Sequence, residues 1–427
     1  MFAVLILTLL SNSNRSQPKN DSLLIDILSK INHPITQKVI SDPKEYRYQI
    51  IYTQINRNKN GKPELKNYYL NVDPNQYFNP ASMVKMPLAF LSLEKIHELK
   101  NKGIDKNTRM SFDSSFEKQV SMEKDSSSAD GYPTLSHFIK RAFLISENDP
   151  YNRMYQFMGQ QEINRKLQIK KYSSVRITRQ FMGYSDEQNR HTNGISFWDK
   201  NGKLVYHQKP KYNRDSFLFP SPILIGKAHM NKNDSLVKAP FDFTRHNSVS
   251  LEDMQQMLQS LVFPESVDKL KRFNINDEDR SFLLQYLSQY PSETNFPKYE
   301  KNIFFDSYVK FFFLDSTHSI PEYIRVFNKV GWAYGFLTDV SYVLDIKNNI
   351  DYMLSATVYV NSDGIVNDSK YDEETIGFPF LRNIGNAIYQ YELKRERKNR
   401  PVLEHLKIAY EKRDERDQRQ SIKFADN

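Results

Sequence analysis

Ser82 and Lys85 are the residues of this chain whose types and spacing best fit nucleophilic chemistry. Pro80 and Ala81 precede Ser82, and the apolar run 86–91 that follows Lys85 predicts a helix. Residues three apart on a helix share a face, so the hydroxyl and the amine are expected to be neighbours. A serine hydroxyl is a poor nucleophile until a base takes its proton, and an amine that can lose its proton is such a base. The pair therefore marks Ser82 as a candidate acylation site.

The spacing S-x-x-K is common in this chain, so its context matters. The same spacing recurs at Ser41/Lys44, Ser115/Lys118, Ser121/Lys124, Ser235/Lys238, Ser266/Lys269 and Ser307/Lys310. Two further elements follow Ser82 in chain order, Ser146-Glu147-Asn148 at the end of a helical pattern and Lys329-Val330-Gly331 at a strand-like stretch. The first contains the single S-x-N of the chain, whereas K-x-G recurs at 59–61 and 200–202 in polar, turn-like sequence.

Taken in order, the three elements resemble the penicillin-recognising serine enzymes, the class A β-lactamases and their penicillin-binding relatives, whose set is S-x-x-K, S-D-N and K-T-G. The resemblance extends around each element and covers about half of the chain, roughly 45–160 and 325–395. It implies an acyl-enzyme mechanism on an amide and requires no metal or organic cofactor.

The resemblance assigns a chemical role to each motif side chain. Ser82 attacks a carbonyl carbon, and Lys85 takes its proton if the amine is neutral, which burial and a nearby ammonium from Lys329 would favour. Ser146 relays a proton to the leaving nitrogen, because a hydroxyl both donates and accepts.

Four residues besides Ser82 are implied to bind substrate. Asn148 is expected to hydrogen-bond the substrate amide, and Lys329 and Gly331 belong to the third motif. The backbone N–H groups of Ser82 and of Trp332 are expected to form the oxyanion hole, since both donors must point to where negative charge develops.

The chain departs from the family pattern in two places. Val330 stands where the family has Thr or Ser, whose hydroxyl helps to hold the substrate carboxylate. In class A enzymes a deacylating glutamate lies in a loop after the second motif. The stretch 177–179 resembles the start of that loop, yet no E-x-x-x-N follows it. Glu187, in a shifted register, is the nearest candidate for the catalytic base.

Composition narrows the function classes. The 427 residues are 39% hydrophobic, include 28 Phe and 26 Tyr, and carry a net charge of +9 with both signs interspersed. This is ample for a core, and without a recognisable nucleic-acid module we expect no nucleic-acid partner. The absence of cysteine excludes a thiol nucleophile and disulfides. There is no H-E-x-x-H spacing for zinc and no G-x-S-x-G nucleophile elbow.

The apolar run 2–10 is too short to span a bilayer and is followed by a polar stretch rich in Ser and Asn. We interpret residues 1–17 as a secretory signal segment, which predicts an exported, periplasmic protein without a stable membrane span. A buried N-terminal strand or helix is the alternative.

The order of elements predicts an α+β fold. A hairpin at 46–72 and three strands between 323 and 361 are expected to form one antiparallel five-stranded sheet from both chain ends, because short turns join neighbours. An inserted all-helical subdomain, flanking helices and a closing helix at 373–396 complete it. The predicted parts are 18–80 and 325–396 for the sheet subdomain, 81–324 for the helical subdomain with a long insertion at about 195–320, and a charged tail at 397–427.

The residues predict a serine hydrolase with β-lactams as the leading small-molecule substrate. A D-alanyl-D-alanine carboxypeptidase or other peptidoglycan amidase shares the acylation residues and remains open, as does a catalytically idle wall-associated binding protein on the same fold. The sequence leaves the oligomeric state undetermined.

Overall fold

The computed structural model describes residues 18–219, 221–317, 319–401, 403, 406 and 408–424. The predicted signal segment 1–17 lies outside the described residues. Among the described helices, none combines the length and the apolar composition needed to cross a membrane.

In these ranges the structure has ten α-helices and thirteen β-strands, numbered in chain order. The helices are α1 (Ser22–Ser29), α2 (Pro34–Ser41), α3 (Pro43–Tyr46), α4 (Lys85–Glu98), α5 (Leu135–Leu144), α6 (Asn148–Met158), α7 (Gln160–Ile169), α8 (Leu251–Val262), α9 (Asp277–Ser288) and α10 (Phe378–Lys394). The strands are β1 (Gln49–Arg57), β2 (Pro63–Leu70), β3 (Arg109–Asp113), β4 (Gly194–Trp198), β5 (Leu204–Gln208), β6 (Leu224–Ile225), β7 (Ala228–Met230), β8 (Leu236–Val237), β9 (Phe241–Asp242), β10 (Ile324–Ala333), β11 (Phe336–Asp345), β12 (Ile350–Tyr359) and β13 (Ile365–Val366).

The central sheet confirms the predicted α+β class. Its five strands run in the order β10-β11-β12-β1-β2, and every neighbouring pair is antiparallel. Strands from the two chain ends meet where β1 pairs with β12, with Ile51 opposite Ser355. The sheet is therefore complete only when strands from both ends of the chain have paired.

Side chains on the two faces of this sheet enter different cores. Ile50, Tyr52 and Val326 face an apolar cluster that includes α1, α2 and α10. Ile51 and Phe327 face a second cluster shared with α4, α5, α6 and α8. Because side chains alternate along a strand, residues of β10 with odd numbers point toward the helices that carry the first two motifs.

The inserted subdomain is not all-helical, which corrects that part of the prediction. Strands β3, β4 and β5 form a three-stranded antiparallel sheet within it, and β6 to β9, with β13, form smaller sheets. Each of these strands has five residues or fewer, which is too short for a clear periodic pattern in the sequence.

Part of the predicted insertion at 195–320 packs against one face of the central sheet. Helix α8 lies on the sheet, where Gln255 Nε2 donates to Thr53 Oγ1 at 2.9 Å and Ser355 Oγ donates to Gln255 Oε1 at 2.8 Å. This interval therefore contributes to the core that supports the motif-bearing strand.

The charged tail packs against the body of the protein. Leu403 is buried. Glu411 accepts two hydrogen bonds of 2.8 Å from Lys140, and Arg413 Nη1 donates to the carbonyl oxygen of Tyr299 at 3.0 Å. The tail thus covers the segment around Tyr299, which contacts the second motif.

A buried ion pair joins the two sheet halves and generates a stability prediction. Arg57 on β1 donates to Asp351 on β12 at 2.6 Å, with both side chains almost fully buried. Asp351→Asn should lower the free energy of unfolding by about 3–5 kcal/mol, because the Arg57 cation is then buried without its partner.

Chemical denaturation measures this loss, and the exposed pair Arg245–Asp186 provides a matched control. Asp186→Asn should change stability by no more than about 1 kcal/mol, as expected for solvent-screened pairs. Equal effects of the two substitutions would contradict the structural role of the buried pair.

Candidate active site

The candidate nucleophile lies in a strained turn. Ser82 belongs to the 3₁₀ turn Ala81–Val84, which continues directly into α4. Ala81 has φ +44°, a left-handed conformation that is unusual for a residue with a side chain. Asn79 Oδ1 stabilises it by accepting a hydrogen bond of 2.8 Å from the Ala81 N–H. Such strain is typical of functional sites.

Lys85 lies at the centre of the candidate site. Its side chain is fully buried, and Nζ lies 2.8 Å from Ser82 Oγ, 2.8 Å from Asn148 Oδ1 and 3.3 Å from Ser146 Oγ. Nζ also donates to the carbonyl oxygen of Ser146. The structure thus brings together Ser82 and Lys85, as their spacing predicted, with Ser146 and Asn148, as the resemblance implied.

The environment of Lys85 favours its neutral form. Burial lowers the pKa of Lys85 well below its ordinary value of 10.5, and the nearby charge of Lys329 lowers the pKa further, whereas Glu147 raises it. A cation loses hydration when it is buried, which explains the direction of the dominant effect. A neutral amine in contact with Ser82 Oγ can accept the hydroxyl proton.

The second motif is held by a network outside the motif itself. Ser146, with φ +69°, forms the connection between α5 and α6. The buried Glu147 accepts hydrogen bonds from Arg141 Nε at 3.0 Å and from Tyr299 Oη at 2.6 Å. Tyr299 lies in the predicted insertion at about 195–320, to which the sequence analysis gave no role. Sequence reasoning therefore missed this support.

The third motif approaches the first through Lys329 and Gly331. Lys329 Nζ donates to Ser146 Oγ at 2.7 Å, and burial lowers the pKa of Lys329 to about 7. A Cβ at Gly331 would overlap the carbonyl oxygen of Pro80 and lie 2.9 Å from Met83 Cγ. Only a glycine lets β10 pass this close to the turn that carries Ser82.

Val330 and Trp332 point to the opposite face of β10. Val330 is buried in the cluster with α10, so its side chain packs there rather than beside Ser82. The Trp332 indole N–H donates to Glu373 Oε1 at 2.8 Å, and its ring packs on Phe378. The proposed contribution of Trp332 to the oxyanion hole involves only its backbone N–H, which follows Gly331 in the strand beside the nucleophile turn.

Glu187 is not brought to this site by any described contact. It is exposed, and its carboxylate lies 3.3 Å from His191 Nε2, in a loop where the His191 ring stacks on Phe116. Its predicted role as deacylating base therefore gains no geometric support.

Phe181 occupies the neighbourhood of Lys85 instead. The centroid of its ring lies 5.3 Å from Lys85 Nζ, and the ring stacks on Tyr151 at a centroid distance of 4.3 Å. Sequence reasoning missed Phe181, because a phenyl ring carries no chemistry that a motif search would select. The only available signal was its place two residues after the predicted start of the loop at 177–179.

A cleft of about 370 Å³ opens beside these residues. Its walls come from α6, from the loop after Arg179 and from the segment before α5, and its lining residues are Val120, Asn148, Asp149, Asn152, Arg153, Gln156, Phe181 and Met182. The described residues contain no group of three or more His, Asp or Glu that could hold a metal ion. The cleft gives a small molecule a path to Asn148.

Comparison with known proteins gives one family and several structures of related fold. A model described as "Beta-lactamase enzyme family" matches residues 36–391. No curated protein sequence matches the chain.

The similar solved structures share little sequence with this chain. A beta-lactamase from Sphaerobacter thermophilus DSM 20745 is 12% identical with a TM-score of 0.44, covering 84% of this chain and 96% of that chain. A class A beta-lactamase from Mycobacterium abscessus is 12% identical with a TM-score of 0.45, covering 84% and 98%. A beta-lactamase from Desulfarculus baarsii DSM 2075 is 11% identical with a TM-score of 0.47, covering 87% and 99%.

The charge of Lys329 generates a prediction about Lys85. Lys329→Met should raise the pKa of Lys85, because it removes a cation that disfavours the ammonium form. The measurement is the rate at which a fluorophosphonate probe modifies Ser82, followed against pH. The midpoint of the rise in rate should move to higher pH in the variant.

Lys59→Met, in the exposed turn between β1 and β2, is the matched control and should leave the midpoint in place. An unchanged or lower midpoint in Lys329→Met would show that Lys329 does not tune the amine.

Proposed function

This chain belongs to the beta-lactamase enzyme family, and from that premise we propose that it is a serine hydrolase that forms an acyl-enzyme on Ser82, with β-lactams as its leading substrates. The observation that carries the proposal is the buried Lys85 amine, 2.8 Å from Ser82 Oγ, with its pKa lowered by burial. Asn148, which contacts the same amine, lines an open cleft, and an activated serine near such a cleft is the arrangement that acyl transfer needs.

Acylation proceeds through the groups that the structure holds in contact. Ser82 Oγ attacks the amide carbonyl and passes its proton to Lys85 Nζ. The carbon–nitrogen bond then breaks, and the proton reaches the leaving nitrogen through Ser146 Oγ, which lies 3.3 Å from Lys85 Nζ. Lys329, at 2.7 Å from the same oxygen, fixes the position of the hydroxyl.

Substrate binding uses the remaining motif residues. Asn148 binds the amide of the substrate, and Lys329 in its charged form attracts a substrate carboxylate. The backbone N–H groups of Ser82 and Trp332 stabilise the oxyanion, and removing one such donor typically costs about 10²–10³ in kcat. Gly331 keeps the two donor segments close.

A D-alanyl-D-alanine carboxypeptidase or other peptidoglycan amidase is the second candidate, because it uses the same acylation groups. The contact between Ser82 and a buried amine favours either enzyme over an idle wall-associated binding protein. Export to the periplasm, where both substrate classes are encountered, is part of the proposal.

The assignment of the nucleophile is tested with labelled penicillin and mass spectrometry. The wild type should gain one adduct, located on Ser82, and Ser82→Ala should gain none while it retains the wild-type circular dichroism spectrum. Ser115→Ala, in another S-x-x-K sequence, is the matched control and should label normally. An adduct on Ser115 or Ser146, or labelling of Ser82→Ala, would refute the assignment.

The pKa of Lys329 predicts how pH affects carboxylate recognition. Because the folded-state pKa is lowered to about 7, Lys329 is charged below that pH and loses its charge as the pH rises through it. A hydrogen bond to a charged group is worth about 1.5–3 kcal/mol, which corresponds to tenfold or more in rate.

The acylation rate of a penicillin relative to that of its methyl ester should therefore fall by about five- to tenfold between pH 6 and pH 8, because the charged fraction of Lys329 falls by about tenfold over that range. The comparison of acid and ester cancels the titration of Lys85, which affects both substrates equally. A constant ratio would mean that Lys329 does not bind the carboxylate.

A further inference from the structure

Release of the acyl group has chemical requirements that acylation does not share. A water oxygen must attack the ester carbonyl while a base accepts a proton from that water. The bond between the acyl carbon and Ser82 Oγ then breaks, and Oγ takes back a proton. The base must lie within about 2.6–3.2 Å of the water, and its loss typically lowers the rate by about 10²–10⁴.

The side of Lys85 that faces the loop after the second motif is covered by the Phe181 ring. The ring centroid is 5.3 Å from Lys85 Nζ, and a phenyl group can neither accept a proton nor orient a water. Lys85 Nζ itself already contacts oxygen atoms of Ser82, Ser146 and Asn148. The amine is therefore already engaged by three oxygen atoms on the side of Ser82.

Phe181 is held in place by its neighbours. Its ring stacks on Tyr151. Its backbone N–H donates to Asn152 Oδ1 at 2.8 Å, and its carbonyl oxygen accepts from Asn152 Nδ2 at 3.4 Å. The preceding residue, Gln180, donates its N–H to Asn189 Oδ1 at 2.7 Å. These contacts hold the Phe181 ring in one position beside Lys85.

The described carboxylates around the site are engaged elsewhere. Glu147 is bound by Arg141 and Tyr299. Asp149, which lines the cleft, accepts from Arg153 Nε at 3.1 Å, and Glu187 lies beside His191. Each of them has a partner of its own, and none has a described hydrogen bond to Ser82 or Lys85.

We propose that Phe181 makes the acyl-enzyme on Ser82 persistent, because its ring takes the place from which a base would activate water. This inference rests on the proposed acylation of Ser82 and adds the fate of the adduct. The protein then retains a penicillin far longer than an efficient hydrolase does, and one side chain determines the difference.

The test follows bound label and released product over time for full-length wild type, Phe181→Glu and Phe181→Gln, each treated with labelled penicillin. Wild type should bind one equivalent rapidly and release product slowly. Phe181→Glu supplies a base beside Lys85 and should shorten the adduct lifetime by about 10²-fold or more. Phe181→Gln, of similar size to Glu but without a basic group, should shorten it far less.

Different failures have different meanings. If wild type takes up no label, the proposed acylation is wrong and this inference falls with it. If wild type takes up label on Ser82 and releases it within seconds, acylation stands and persistence is overturned. Equal lifetimes for Phe181→Glu and Phe181→Gln, or a longer lifetime in Glu187→Gln or Asp149→Asn, would likewise overturn the role of Phe181. Should Phe181→Glu fail to fold, Phe181→Asp replaces it with Phe181→Asn as its control, and equal lifetimes for that pair would overturn the role of Phe181.

Discussion

The removal of one lysine from water is the constraint on which the site depends. Lys85 is fully buried, and its pKa falls because hydration of the ammonium is lost. The same burial requires that its polar atom be satisfied, which Ser82, Ser146 and Asn148 do. The turn that carries Ser82, helix α4 and the start of helix α6 must therefore converge on a single nitrogen atom. The packing around Lys85 and its lowered pKa are consequences of the same burial, and its proposed role as a base depends on both.

Support for that nitrogen extends well beyond the three motifs. Tyr299 holds Glu147 beside Ser146, and Arg413 from the charged tail binds the carbonyl oxygen of Tyr299. Helix α8 packs on the central sheet, where Gln255 forms hydrogen bonds with Thr53 and Ser355. The long middle interval and the tail are thus parts of the structure that positions the second and third motifs. A chain truncated before the tail would lose the contact between Arg413 and Tyr299, and Tyr299 in turn binds Glu147 of the second motif.

The sequence predicted what local patterns determine. Runs rich in Tyr, Ile and Val between turn sequences predicted the strands of the central sheet, and short turns predicted their antiparallel pairing. The spacing of Ser82 and Lys85 predicted their contact, because a helical turn determines it. The small sheets of the inserted part, the position of Glu187 and the wall formed by Phe181 depend on contacts between distant segments. A ring beside an amine is selected by packing and has no spacing rule, so sequence patterns alone do not reveal it.

The most direct measurement of the central claim is an NMR titration of the Lys85 side chain in protein with isotopically labelled lysine, assigned with the variant Lys85→Arg. We expect the resonance of Lys85 to report a neutral amine already at pH values where the exposed lysines remain charged, with a midpoint well below the ordinary value of 10.5. A Lys85 resonance that titrates together with those of the exposed lysines would rule out its role as the base, because a charged amine has no lone pair with which to take the proton of Ser82.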